Sequence, residues 1–151
     1  DKLAWQGNPD ALQLPRPRLD GRYDFSFSGL KTALINRVHQ LHQAGQDVPA
    51  ADIAASFRKA VVEQLVGKAL LAAREQNAKA LAVAGGVAAN SLLRQELTEG
   101  AQKLHIPCYM PPLKLCTDNA AMIGSAAFWQ LMRGALAGLD LNAEPGLELP
   151  V

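Results

Sequence analysis

The chain has 151 residues, the size of a single domain and enough to enclose a core. Apolar residues make up 49 % and charged residues 19 %, which excludes a disordered chain. A net charge of +1 and 5 % aromatic residues argue against a strongly basic nucleic-acid surface or a base-stacking platform.

No apolar run reaches the roughly 18 residues of a membrane span and no signal peptide is visible, so a soluble, cytoplasmic protein is expected. Cys108 and Cys116 are too few for a disulfide framework and poorly spaced for zinc; reduced, partly buried thiols are expected. Because the chain begins with Asp1 rather than methionine, it reads as a fragment or a processed piece.

Residues 1–19 contain Pro9, Pro15 and Pro17 and few periodic apolar residues, and read as a loop on the surface. Tyr23-Asp-Phe-Ser-Phe-Ser28 alternates aromatic and polar residues, the pattern of a half-buried strand. A helix is expected over Leu30–Leu41, with Ser28 as its N-cap and Leu34, Val38 and Leu41 on one face. His39 and His42 lie on that helix without further ligands nearby and are read as exposed polar residues. The longest helix is expected over Pro49–Asn77. Ile53, Phe57, Val61 and Leu65 repeat along it, while Arg58, Lys59, Glu63 and Lys68 form its solvated side. Arg16, Arg18, Arg22 and Lys31 are candidates for phosphate contacts, and a solvated loop accounts for them equally well.

The apolar run around Leu81 and Val83 reads as a buried strand that breaks at Gly85-Gly86. Helical periodicity begins at Ala88 and runs to about Gln102. A strand that passes through two glycines into a helix offers bare backbone N–H groups, suited to a phosphate or an adenosine. A turn whose glycines serve geometry alone has the same pattern. Ile106–Met110 reads as a second short strand, stopped by Pro111-Pro112, and Lys114–Asn119 as a loop. The last helix is expected from Asn119 to about Gly134, with Asp118 at its first turn as a cap or a ligand. Its opening residues are small, including Ala120, Ala121, Gly124 and Ser125, and allow close approach of a backbone or ligand. After Gly138 the chain reads as an acidic surface tail. Alternating strands and helices argue for an α/β layer architecture with a parallel crossover. In such sheets ligands sit beyond the strand C-termini, so Gly85, Gly86 and Asp118 are expected to line one crevice.

Three motifs occur in order: Asp24-Phe-Ser-Phe-Ser-Gly-Leu-Lys-Thr32, Gly85-Gly-Val-Ala-Ala-Asn90 and Cys116-Thr-Asp-Asn-Ala-Ala-Met-Ile-Gly124. Together they resemble the C-terminal half of the tRNA N6-adenosine threonylcarbamoyltransferase family, formerly described as O-sialoglycoprotein endopeptidases, over about residues 1–141. The resemblance implies an α/β fold of the actin-like, sugar-kinase-like ATPase (ribonuclease H-like) type, with this chain as the second lobe plus linking helices. The implied division is a loop and strand over 1–28, the lobe over 29–138 and a surface tail over 139–151. It also implies transfer of threonylcarbamoyl from threonylcarbamoyl-AMP to N6 of the adenosine beside the anticodon in tRNAs reading ANN codons, with partner proteins of that machinery. Asn90 matches a residue that contacts the adenylate, and Gly85 and Gly86 border its pocket. Asp118 matches an aspartate that, with two histidines, holds an iron or zinc ion.

The chain departs from the family pattern in two respects. The histidines belong to a His-x-x-x-His motif of the first lobe, and His39, His42 and His105 do not match it. The Arg- and Trp-bearing tail common in the family is replaced by Asn142-Ala-Glu-Pro-Gly-Leu-Glu-Leu-Pro-Val151. A metal acting as Lewis acid suits the implied chemistry, because the adenine amine is a weak nucleophile and the carbonyl must be polarised. No Ser/His/Asp, Cys/His or His-Glu-x-x-His arrangement supports proteolysis. Two alternatives remain open: a kinase or another carbamoyltransferase lobe of the same superfamily, and a non-catalytic nucleotide-binding or scaffold half-domain.

Overall fold

The computed structural model describes residues 1–16, 21–46 and 49–146. They form four α-helices, α1 (Ser28–Gln43), α2 (Ala50–Glu75), α3 (Ser91–Lys103) and α4 (Ala120–Met132), and two short strands, β1 (Leu81–Ala82) and β2 (Cys108–Tyr109). The strands pair in parallel, Leu81 opposite Cys108 and Ala82 opposite Tyr109, with α3 between them in the chain. Hydrogen bonds from Leu81 N to Pro107 O and from Val83 N to Tyr109 O extend the ladder at both ends. The architecture is α-rich with a small parallel sheet, and the α/β expectation holds at that level. Among the described residues no helix is long and apolar enough to cross a membrane.

The chain divides into two compact units, residues 1–117 and 118–151. In the first unit, α2 is the central rod. The expectation of Pro49–Asn77 meets a helix whose N-cap is Pro49 and whose C-cap is Gln76. Its deepest face runs through Ala55, Val62, Val66 and Ala73, while Ile53, Phe57, Val61 and Leu65 are partly buried beside it. One core cluster joins Leu12, Leu14, Leu30, Leu41 and Ala60; a second joins Val62 and Val66 to Leu93 and Leu97 of α3.

Residues 1–16 are irregular apart from one turn of 3-10 helix at Leu3–Trp5, but they are well anchored. Leu12 and Leu14 are buried, and the backbone of this segment is tied to α2 by Asn8 N to Asp52 Oδ1 (2.7 Å) and Leu12 N to Ser56 Oγ (3.1 Å). At Gly7 the chain lies so close to α2 that a Cβ would sit 2.1 Å from Ala51 O, so only glycine fits.

Three expectations are corrected in this unit. Tyr23–Ser28 is not a strand: its alternation is real, but no neighbouring strand pairs with it among the described residues. Phe25 and Phe27 stack on each other at 6.3 Å. Ser28 is the first residue of α1 rather than its N-cap, and no side chain caps that end. Arg58 does not belong to a solvated face. It is 9 % exposed, lies 4.1 Å over the Trp5 ring and donates to Asp1 Oδ1 at 3.0 Å. Burial lowers its pKa, and the aspartate and the indole face are what it is given in exchange for water.

The second unit contains α4 and the segment that follows it. Residues 139–146 are exposed and irregular, and Glu148 of the expected acidic tail lies outside the described residues. α4 begins and ends slightly inside the expected Asn119–Gly134, and its own unit buries none of its residues.

Candidate functional site

β1 stops where Gly85 takes a φ of +86° and a ψ of 173°, a backbone conformation that L side chains resist. The chain then makes one turn of 3-10 helix, Gly86–Ala89, before α3 starts at Ser91. The expected direct passage from glycines into a helix at Ala88 is therefore corrected: a separate turn intervenes. Its internal bonds begin with Ala88 N to Gly85 O and Asn90 N to Val87 O, both 3.0 Å. The N–H groups of Gly86 and Val87 consequently have no backbone acceptor among the described residues, as at any helical start. A Cβ built at Gly86 meets nothing within 4 Å, so the space over this turn is open.

Asn90 ends the turn and caps α3, its side-chain Oδ1 accepting from Leu93 N at 3.0 Å. That bond uses the carboxamide oxygen and leaves the Nδ2 group as what Asn90 has to offer a ligand. A second side-chain acceptor, the Asp1 carboxylate, serves the same helix end, since Ser91 N and Oγ donate to Asp1 Oδ2 at 3.2 and 2.7 Å. Trp5 Nε1 donates to Ser91 Oγ at 2.9 Å, so the N-terminal segment is stitched to the start of α3. Negative charge at that position complements the helix dipole.

Beside the turn lies an apolar groove of about 550 Å³, bordered by Phe25, Phe27, Phe57, Val83, Val87 and Leu93 among others. A larger one, about 630 Å³, runs between α2 and α3 past Val66, Leu70 and Gly100, and contains none of the expected site residues. Glu96 on its rim has its pKa raised by burial and by the nearby charges of Glu63 and Glu99.

Sequence reasoning missed Arg94. It is half-buried on the first turn of α3; Nη1 donates to Ala88 O at 2.9 Å and Nη2 to Pro111 O at 3.0 Å. Nη1 also lies 3.9 Å from Sγ of Cys116, which is buried. An arginine four residues after an N-cap asparagine is the signal that was available, because helical side chains lean toward the N-terminus.

Asp118 opens the second unit and is exposed. It is neither in the first turn of α4 nor its cap; Asn119 is the N-cap, accepting from Met122 N at 3.1 Å. The capping explanation for Asp118 is thereby removed. No group of three or more His, Cys, Asp or Glu residues able to hold a metal occurs among the described residues, so the donors present do not by themselves make a metal centre. His39 and His42 are exposed, as expected. Cys108 is half-buried and Cys116 buried, both as free thiols, also as expected. Of the basic candidates, Arg16 pairs with Glu63 and Arg22 with Glu75, and Lys31 is exposed. Arg18 lies outside the described residues.

The family pattern of tRNA N6-adenosine threonylcarbamoyltransferase matches residues 1–125. The chain belongs to that family. Family members so named include one from Moorella thermoacetica, 53 % identical over 150 residues, and one from Thermosynechococcus vestitus, 50 % identical over 155. A third, from Clostridium botulinum, is 45 % identical over 150 residues. Each match covers 99 % of this chain and 44 % of the relative, so the chain spans less than half the length of these threonylcarbamoyltransferases. These matches do not bear out the C-terminal placement expected from the motifs.

Proposed function

We propose that this chain forms part of a tRNA N6-adenosine threonylcarbamoyltransferase and supplies an adenylate-holding segment of it. The observation that carries this reading is the open Gly85-Gly86 turn at the C-terminal end of β1, with N–H groups that have no backbone acceptor among the described residues and a side-chain amide from Asn90 at its far end. In the complete protein the adenosine amine beside the anticodon attacks the carbamoyl carbonyl of threonylcarbamoyl-AMP. The new N6–C bond forms as the C–O bond to AMP breaks, AMP leaves with the electron pair of that bond, and the amine gives up one proton to solvent or to the leaving phosphate. The turn contributes by holding AMP both as substrate handle and as leaving group, and close approach is possible because neither glycine carries a Cβ.

The actin-like ATPase fold, with residues 29–138 as one lobe, is part of the same reading and rests on family membership. So are tRNA and partner proteins of the threonylcarbamoylation machinery, and a cytoplasmic setting. Asp118 is proposed as one carboxylate ligand of a divalent metal, iron or zinc, with the other ligands outside this chain. Its support is the residue type and the absence of a capping role.

The test of the adenylate reading is Gly86→Val in the full-length protein carrying this sequence. A Cβ at Gly86 enters open space, so the variant is expected to keep its far-UV circular dichroism while losing affinity for a non-hydrolysable threonylcarbamoyl-AMP analogue by at least about tenfold. Unchanged calorimetric affinity in a folded Gly86→Val protein would leave the turn a matter of geometry alone.

A further inference from the structure

The turn at Gly85–Ala89 has few bonds of its own. Its hydrogen bonds include the short-range contacts Ala88 N to Gly85 O and Asn90 N to Val87 O, and its outer surface is open. A binding loop of this kind needs something beneath it that fixes its shape, since misplacement by about 1 Å costs on the order of 100-fold in a reacting geometry. Ala88, at the inner side of the turn, is 1 % exposed, and its carbonyl accepts from Arg94 Nη1 at 2.9 Å. The other terminal nitrogen of the same guanidinium donates to Pro111 O at 3.0 Å, in the segment that leaves β2. The floor of that segment is Cys116, 1 % exposed, whose sulfur lies 3.9 Å from Nη1 and 3.6 Å from Pro112 O.

We infer that Arg94 is a positioning residue: its planar fork clamps the Gly85–Ala89 turn to the 111–116 segment and thereby sets the shape of the adenylate cradle. The inference rests on the adenylate reading above. The guanidinium of Arg94 is directed to Ala88 O, Pro111 O and Cys116 Sγ, so the side chain acts on the cradle through Ala88. Arginine is required because two separate nitrogens, held in one plane, answer two carbonyls that belong to different loops. Lysine offers one nitrogen on a shorter stem and keeps the charge without the bridge. A charge-assisted bond to a buried carbonyl is stronger than a neutral one, so the clamp is firm relative to the turn's own bonds.

The test uses the full-length protein with Arg94→Lys and Arg94→Ala. Hydrogen exchange is followed in peptides covering residues 84–90, 111–117 and, as control, 57–72 of α2; AMP affinity is measured by calorimetry. For Arg94→Lys, exchange is expected to rise in the first two segments together and to stay unchanged in α2, with AMP affinity falling about tenfold, the size of one charge-assisted bond. Millimolar methylguanidinium is expected to restore part of the affinity of Arg94→Ala and to leave the wild type unaffected. If Arg94→Ala does not fold, Arg94→Lys decides alone. Faster exchange with unchanged AMP affinity, or a change confined to one segment, overturns the positioning role. Failure of the wild-type protein to bind AMP overturns the adenylate reading itself, and the clamp's assigned purpose with it.

Discussion

Asp118 shows how a single residue changes meaning once its neighbour is placed. An aspartate just before a helix is ordinarily a cap, and a cap is worth about 1 kcal/mol. Here Asn119 takes that place, so the carboxylate of Asp118 has no part in closing α4. Replacing it should therefore cost little stability, and any larger effect reports a ligand. In the full-length protein, Asp118→Ala is expected to match the metal-free wild type in thermal midpoint within a degree or two while losing bound metal and tRNA modification. Loss of even an outer-shell partner costs ~10–100-fold, and loss of a direct ligand should cost at least as much. Metal analysis of the purified variant checks it, and full metal content with normal modified-tRNA yield would remove Asp118 from the site.

At the scale of the element, α3 holds most of what can be separated experimentally. Its N-terminus is closed twice, by the adjoining N-cap Asn90 and by Asp1 from a distant segment, and its first two turns carry Leu93 and Leu97 into the core. Asn90 serves the helix with Oδ1 and is proposed to serve the ligand with Nδ2, so one substitution can divide the two roles. Asn90→Asp keeps an oxygen acceptor at a position that favours negative charge and loses the amide donor. Its stability is expected within a few tenths of a kcal/mol of wild type, with weakened AMP-analogue binding. Asn90→Ala should lose both, with a stability cost of about 1 kcal/mol. Chemical denaturation alongside calorimetry resolves the pair, and equal binding by wild type and Asn90→Asp would confine Asn90 to its cap.

For the whole molecule, the chain spans 44 % of its Moorella relative, and among the described residues no cluster of metal donors forms. α4 carries Met122, Ile123, Phe128 and Trp129 with only Ser125 and Gln130 as polar residues, and among the described residues of its own unit none of it is buried. A helix apolar on all sides belongs inside a larger structure. The chain as given is therefore expected to be inert by itself and prone to association, because large apolar patches are rare on soluble monomers. Threonylcarbamoyl incorporation into tRNA should be absent with the purified 151-residue chain and present with the full-length protein. Turnover by the short chain alone would refute the proposed division of labour.

The helices and both strands of the sheet were legible in the sequence because their signals are local. Apolar residues three and four apart mark α1 and α2, and Gly85, Pro49 and Pro111 impose their limits through φ and a missing N–H. The three motifs likewise pointed to the family that the comparison then established. What lay beyond reach depends on contacts distant in the chain. Tyr23–Ser28 has the alternation of a strand, yet a strand exists only when another pairs with it. Arg58 has the look of a solvated residue until Trp5 and Asp1 close over it. Asn119 rather than Asp118 caps α4 because capping depends on backbone dihedrals that adjacent polar residues compete to satisfy. Arg94 shows no periodicity that marks it, since its value lies in two carbonyls 6 and 17 positions away. Periodicity determines which elements form, because it acts within one turn or one strand; the packing of separated segments decides which side chain meets which, and that is where the site acquires its shape.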